Sequence, residues 1–483
     1  MNLYLKKTLH YLAGNLFNKI LLIVFLPIFT HYLIPEEYAV YTNYLIFIAF
    51  AGLFYLAGLT QSLFSFFYKE NTNEYKYTLI NSMVTTVVVI GILLSVLIVI
   101  FRSKFAVIIA GNIETADALF FIVFIIFFEA YHTITLSIVN ILERSEIYAV
   151  LGASKNIVLL ILLTFGAVSK QLGLEQILYY MLAAAVLSAV FSNIIIRKIL
   201  REFQTKGARK YSFKLMKPIM KFGVIMIPGT LGFLILRVAD RYMLTHLSSG
   251  ALYDVGIYAV GYRVGMIMQF LVSAVSLVYF PYAMKIADSK IAAESFRNIY
   301  NYFILFGVLL GSTVILFSNE IFMIFIDPKY HSAVSIVFIG VISVFLHGVF
   351  NIINLGFYAK QKAGNIAVAV VSGALLNIVL NFLLIPKYGI YGAGIASVIS
   401  YIYIVLFNFI AVQKVYKVGY SFAYLLISLL ILGLVSYLNV VLSFSIAVTI
   451  FKISVVFISL IFVFVIGKRN NKFDFIIELL RKK

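Results

Sequence analysis

Long apolar runs, separated by short charged links, fill the chain from about residue 10 to residue 467. The runs are continuously hydrophobic and do not alternate with period two, so they predict helices and argue against a membrane β-barrel. A spanning helix needs about 20 mostly apolar residues. On that measure the pattern predicts fourteen spans. Twelve lie near 10–34, 40–67, 78–101, 117–142, 147–168, 174–197, 219–246, 252–284, 299–317, 332–357, 363–386 and 389–413. The last two, 421–439 and 443–467, complete the set. The first run does not read as a cleaved leader, because it is too long, carries Asn15, Asn18 and Lys19, and lacks a small-residue cleavage site.

Composition sharpens this picture. Of 483 residues, 63% are hydrophobic and 12% charged, with mean hydropathy +1.05. Soluble domains carry about 25% charged residues, so a water-soluble enzyme is excluded. The expected fold class is an all-α integral membrane protein of about 14 transmembrane helices. With no cysteine, disulfides, thiolate nucleophiles and zinc–thiolate sites drop out.

The net charge of +19 then has to be placed. With the N-terminus in the cytoplasm, 27 of the 38 Lys and Arg fall on inner links and tails and five fall outside. The positive-inside rule therefore predicts cytoplasmic termini and an even number of spans. The same asymmetry explains the basic pI, points to anionic membrane lipids as partners and gives no reason to invoke nucleic acid.

The basic loop at 197–221 separates two sets of six spans, with similar features recurring about 218 residues apart. The expected organisation is an N-terminal six-helix bundle (1–199), a basic linker (200–218) and a C-terminal six-helix bundle (219–413). Two extra spans (414–467) and a basic tail (468–483) follow. A six-span repeat returns the chain to its starting side, so the halves are parallel and leave a central cleft between them.

Six basic residues remain inside spans: Lys19, Lys155, Arg237, Arg241, Arg263 and Lys452. Each costs roughly 2.5–3.5 kcal/mol at a helix centre and so calls for water or a partner. Lys155 and Lys452 stand alone and are expected to snorkel to an interface. Arg237 and Arg241 lie one turn apart, with Asp240 between them. Two readings stand for that group. One is an ion cluster neutralised by Asp240, and the other is a cationic lining shared with Lys19 and Arg263. Four bases against one acid favour the lining, which suits phosphate or pyrophosphate gripped by arginine forks. Glu129, with His132 one turn on, is a candidate proton or sodium coupling site or else a tethering pair, and Asp240 is a second coupling candidate. Pro27, Pro228 and Pro281 interrupt spans and are candidate bending points for gating. The six histidines do not pair at metal-ligand spacing, and no phosphate-cradling loop or nucleotide fingerprint occurs. Transport would run on an ion gradient, the membrane potential or the substrate gradient, with H+ or Na+ as the coupling ion and no other cofactor.

Several segments carry a family resemblance. They are Asn377 to Ala396 (NIVLNFLLIPKYGIYGAGIA), Arg237 to Leu244 (RVADRYML) followed by Asp254 to Tyr262 (DVGIYAVGY), Pro35 to Tyr41 (PEEYAVY) and Phe280-Pro281-Tyr282. With these, the chain resembles the Wzx-type polysaccharide-repeat flippases of the multidrug/oligosaccharidyl-lipid/polysaccharide exporter superfamily over essentially its whole length. Ala39 departs from the glycine usual after Glu-Tyr. The resemblance implies a flippase that moves an undecaprenyl-pyrophosphate-linked oligosaccharide from the inner to the outer leaflet of a bacterial plasma membrane. Such a protein would serve O-antigen, lipopolysaccharide or capsule synthesis and work beside other polysaccharide assembly proteins. It also implies a basic central cavity, here Lys19, Arg237, Arg241 and Arg263 with Asp240. The last two spans would form a groove for the polyprenyl tail or a peripheral clamp. A lipid II or teichoic-type precursor flippase, a multidrug antiporter on the same fold, a membrane glycosyltransferase or polymerase, and an assembly scaffold are the competing expectations. An antiporter for organic cations wants an acidic cleft, an enzyme wants a sizeable outer catalytic loop, and a scaffold needs no buried bases.

Overall fold

The computed structural model describes residues 3–441 apart from Asn112, Lys206, Gln361 and Ala363, and residues 448–450, 452–454 and 456 beyond them. All regular structure among the described residues is helical. The first half holds α1 (Leu3–Tyr32), α2 (Pro35–Leu56), the short α3 (Leu59–Phe66), α4 (Asn73–Ile100) and the short α5 (Arg102–Ala110). It continues with α6 (Ala118–Ile141), α7 (Ser145–Val168), α8 (Leu174–Phe203) and α9 (Phe213–Leu247). The second half holds α10 (Ala251–Gly265), α11 (Gln269–Ile286), α12 (Ala292–Leu316), the short α13 (Ser318–Phe325) and α14 (Val334–Ile353). The short α15 (Leu355–Ala359), then α16 (Gly364–Val415) and α17 (Phe422–Val441), complete it.

Uniformly apolar runs become helices because only a helix satisfies its own backbone in hydrocarbon. They stop where polar side chains take over that task. Pro35 opens α2, where Ile34 N–H donates to Glu37 Oε2 at 3.1 Å. Thr72 Oγ1 caps α4 by accepting from Tyr75 N–H, and Ser212 Oγ caps α9 by accepting from Leu215 N–H.

Among the described residues, eleven helical stretches are long and apolar enough to cross a bilayer. One of them, the 52-residue α16, is two helices merged across Gly389 (φ 53°, ψ −129°), and so covers two predicted spans. Only glycine adopts those angles freely. A tight return follows, since a Cβ on Gly392 would fall 2.3 Å from the Leu384 carbonyl oxygen. α1 coincides with the first predicted span, the fourteenth lies mostly outside the described residues, and the basic tail at 468–483 lies wholly outside them. The segment 102–116, which reads as a plain outer loop, instead holds α5 and a 3₁₀ turn at Ile113–Ala116.

The element order repeats. α4, α5 and α6 begin at Asn73, Arg102 and Ala118, while α12, α13 and α14 begin at Ala292, Ser318 and Val334, which is 219, 216 and 216 residues later. α7 and α16 begin 219 residues apart as well.

Two compact units divide the chain, one of residues 9–256 and one of residues 1–8 with 257–483. α6 is central to the first, packing on α2, α4, α7 and α8, and α14 is central to the second, packing on α11, α12, α16 and α17. The division falls after Gly256, because α9 packs on α2, α3 and α4 of the first unit. Between α8 and α9 the link is short and docked. Arg209 N–H donates to Thr78 Oγ1 at 3.3 Å, and Ser212 N–H donates to Ser82 Oγ at 3.1 Å, both on α4.

Candidate functional site

The polar interior of the first unit is built where α1 meets α7. Gly14 lets α1 approach, since a Cβ there would lie 3.0 Å from Ala149 Cα. One turn on, Asn18 Nδ2 donates to the Gly152 carbonyl at 3.1 Å and its Oδ1 accepts from Asn156 Nδ2 at 3.0 Å. Near the end of the helix, Tyr32 OH reaches the Ala167 carbonyl at 2.9 Å. Amides buried in an apolar bundle bind one another because an unmet amide there costs roughly 1–3 kcal/mol. Next to Asn18, Lys19 is half-buried and within electrostatic reach of Arg237 on α9.

On α9 the side chain of Arg237 is exposed, Asp240 is 2% exposed and Arg241 is half-buried. Asp240 Oδ1 accepts the backbone N–H of Arg241 at 2.9 Å. Thr245 Oγ1 donates to the Arg241 carbonyl at 3.2 Å and accepts from Asn43 Nδ2 of α2 at 2.9 Å. Lys19, Arg237, Asp240 and Arg241 thus belong to one unit, on α1 and α9. Those two helices contribute one carboxylate between them, Asp240. Arg263, half-buried in the last turn of α10, belongs to the other unit.

Lys155 does not snorkel. Its Nζ donates to Glu129 Oε1 at 2.7 Å, bridging α7 to α6. His132, one turn beyond Glu129, has Nδ1 2.9 Å from Ser192 Oγ of α8, and Tyr131 OH donates to Asn193 Oδ1 at 3.2 Å. Lys452 corrects the snorkelling expectation again. It is 1% exposed, and its Nζ donates to Glu320 Oε1 at 3.0 Å, to Glu320 Oε2 at 3.3 Å and to Asn439 Oδ1 at 3.3 Å. Thr449 Oγ1 also donates to Glu320 at 3.0 Å, and Asn439 Nδ2 donates to Ser318 Oγ at 3.0 Å. In each case a carboxylate within the protein supplies the counterion that the bilayer cannot, and for the buried Lys452 an uncompensated charge would be costly.

Pro27, Pro228 and Pro281 lie inside α1, α9 and α11. Among the described residues no group of three His, Cys, Asp or Glu side chains is placed to hold a metal ion. Sequence reasoning passed over Asn43, Thr245, Asn156 and Glu320. Asparagine deep in an apolar run was the available signal for Asn43 and Asn156.

A family of sequences described as "Polysaccharide biosynthesis protein" matches residues 4–287, more than half of the chain. The chain belongs to the polysaccharide biosynthesis protein family. It is 29% identical over 242 residues to an uncharacterized membrane protein of Methanocaldococcus jannaschii, covering 47% of this chain and 45% of that one. It is 25% identical over 241 residues to a "Probable low-salt glycan biosynthesis flippase Agl15" of Haloferax volcanii, covering 49% of each. These matches span about half the length of either relative. Among solved structures, an inward-facing multidrug resistance MATE family transporter of the MOP superfamily superimposes with TM-score 0.62 at 14% identity, covering 86% of this chain and 96% of that one. A mutant of the Vibrio cholerae MATE transporter VcmN gives TM-score 0.57 at 15% identity, over 87% and 97%. The fold of this family member is therefore MATE-like, in a multi-pass membrane protein.

Proposed function

We propose that this family member is a flippase that carries an undecaprenyl-pyrophosphate-linked oligosaccharide repeat unit from the inner to the outer leaflet of a bacterial plasma membrane. The observation that carries the reading is the charge on α1 and α9, where Lys19, Arg237 and Arg241 outnumber Asp240 within the membrane-spanning length. A self-contained structural cluster balances its charges, as Lys155 with Glu129 does. A surplus of cations suits a polyanion that arrives as substrate, and a pyrophosphate esterified at both ends still carries about two negative charges for guanidinium forks to grip. Moving that headgroup and its sugars through about 30 Å of hydrocarbon is prohibitive without a polar path. The Asn18–Asn156 and Tyr131–Asn193 pairs supply further polar groups within the same unit.

In this reading both termini are cytoplasmic, each six-span bundle lines one side of a central cavity, and Arg263 adds to the lining from the second bundle. The linker and basic tail face anionic inner-leaflet lipid. Pro27, Pro228 and Pro281 provide bending points. Asp240 and Glu129, whose carboxylate holds Lys155, are the candidate coupling groups, and the coupling ion is H+ or Na+. The MATE-like fold also suits a multidrug antiporter, but cationic drugs would meet a cationic lining. The deciding experiment is a proteoliposome assay that follows a fluorescent polyprenyl-pyrophosphate glycan from one leaflet to the other. Flipping by the wild-type chain that is lost in the Arg237→Ala, Arg241→Ala double variant supports the reading. Equal flipping by both proteins overturns it.

A further inference from the structure

α9 carries three of the cavity residues, and it is held near both ends by contacts of different chemistry. Toward the basic linker the contact is backbone against backbone. The chain between α2 and α3 turns through Gly58 (φ +68°), where a Cβ would fall 2.1 Å from the Gly223 carbonyl oxygen. A Cβ on Gly223 would in turn lie 2.5 Å from the Ala57 carbonyl oxygen, and Ser62 Oγ donates to the Ile219 carbonyl at 3.0 Å. Toward α5 the contact is made by polar side chains. Asn43 Nδ2 on α2 donates both to Thr245 Oγ1 on α9 and to the Ile109 carbonyl at the end of α5, each at 2.9 Å. His246 Nε2 lies 2.9 Å from the Ile108 carbonyl. Terminal carbonyls of a helix have no partner within it, so these side chains close the end of α5 onto α9. Asn43 is 2% exposed.

We propose that these two contacts are a pair of clasps that decide from which end the cationic face of α9 is reached, the Asn43–Thr245–α5 clasp at one end and the Gly58–Gly223–Ser62 clasp at the other. This rests on the carrier reading above. A carrier has to open at one end while the other stays shut. The two chemistries suit that need differently. The linker-end clasp depends on the absence of side chains and is broken by adding one methyl group. The α5-end clasp depends on two amide N–H bonds, which water can replace once the end is wetted. Thr245 passes the state of the α5 end to the Arg241 carbonyl one turn below, so Asn43 acts as a positioning residue for the cation turn.

The absence of native cysteine makes the test direct. A single reporter, Val238→Cys on α9, is labelled in full-length protein in vesicles with a membrane-impermeant maleimide applied from either face. Asn43→Leu, or the milder Thr245→Val, is expected to raise labelling from the α5 face several-fold and to lower it from the linker face. Gly223→Ala, or Ser62→Ala where the first does not fold, is expected to do the opposite. Labelling that responds to neither set, or that rises equally from both faces, overturns the clasps. If labelling shifts as expected while the wild-type chain flips no polyprenyl-pyrophosphate glycan, the clasps stand and the substrate assignment falls.

Discussion

The cations inside this protein differ in charge balance, and the contrast is sharpest between Lys452 and the α1–α9 group. Lys452 is 1% exposed, touches both oxygens of Glu320 and is backed by Asn439. Lys19, Arg237 and Arg241 share their two helices with a single acid, whose Oδ1 accepts the Arg241 backbone N–H. The first arrangement is closed and neutral, and it fastens Asn439 and Lys452 to α13. The second keeps a positive excess in a region where charge is expensive. A fold that neutralises Lys452 so fully and leaves α1 and α9 basic fits the proposal that this excess meets an anionic substrate.

Breaking the closed pair should produce the largest effect on stability. Glu320→Gln or Lys452→Met leaves one buried charge uncompensated, a change that typically costs 3–5 kcal/mol. Either single variant is expected to lower the thermal midpoint of the detergent-solubilised protein steeply, as read by size-exclusion recovery after heating. The double variant, with no charge left to bury, is expected to regain most of that loss. Recovery that stays low in the double variant would mean that packing, and not charge, sets the cost.

The α1–α9 group should behave in the opposite way, with a large effect on transport and a small one on folding. Hydrogen bonds to charged groups contribute about 1.5–3 kcal/mol each, so losing two of them lowers flipping by roughly a hundredfold or more. Arg237→Ala with Arg241→Ala is expected to show that loss while the thermal midpoint holds or rises, because self-repulsion is relieved. Lys19→Ala should lose less, about tenfold for a single contact of this kind, and Lys19→Arg should recover activity, since the site asks for charge. A thermal midpoint that falls as far as flipping does would place these residues with Lys452 as structure.

Much of this architecture was legible in the sequence because lipid permits so few solutions. Spans, links and the break near Gly389 follow from backbone satisfaction in hydrocarbon, and α16 divides between the two predicted spans. The short helices α5 and α13 were not legible, since nine and eight residues at a membrane boundary carry little periodic signal. Lys19, Arg237, Asp240 and Arg241 stood out as charges in apolar runs. The pairings between distant helices did not. Lys452 and Glu320 are 132 positions apart, Asn43 and Thr245 are 202 apart, and Glu320 lies in a link where an acid is unremarkable. Only the packing of helices distant in sequence shows that Lys452 is sealed by a carboxylate.

The pair Glu129–Lys155 lies between the two extremes and sharpens the contrast most finely. Lys155 reaches a single carboxylate oxygen at 2.7 Å, and the two side chains are 25% and 29% exposed, against 10% and 1% for Glu320 and Lys452. A partly open pair keeps some solvation when it is broken, so its loss should cost about 1 kcal/mol or less. Glu129→Gln and Lys155→Met are each expected to shift the thermal midpoint slightly and to add almost independently, in contrast to the strong coupling of Glu320 with Lys452. The informative measurement is flipping against pH in Glu129→Gln. A carboxylate that only tethers α6 to α7 leaves the profile unchanged, whereas one that exchanges its lysine for a proton during transport flattens it. The expected result is an unchanged profile in Glu129→Gln, whose carboxylate holds Lys155, and a flattened one in Asp240→Asn.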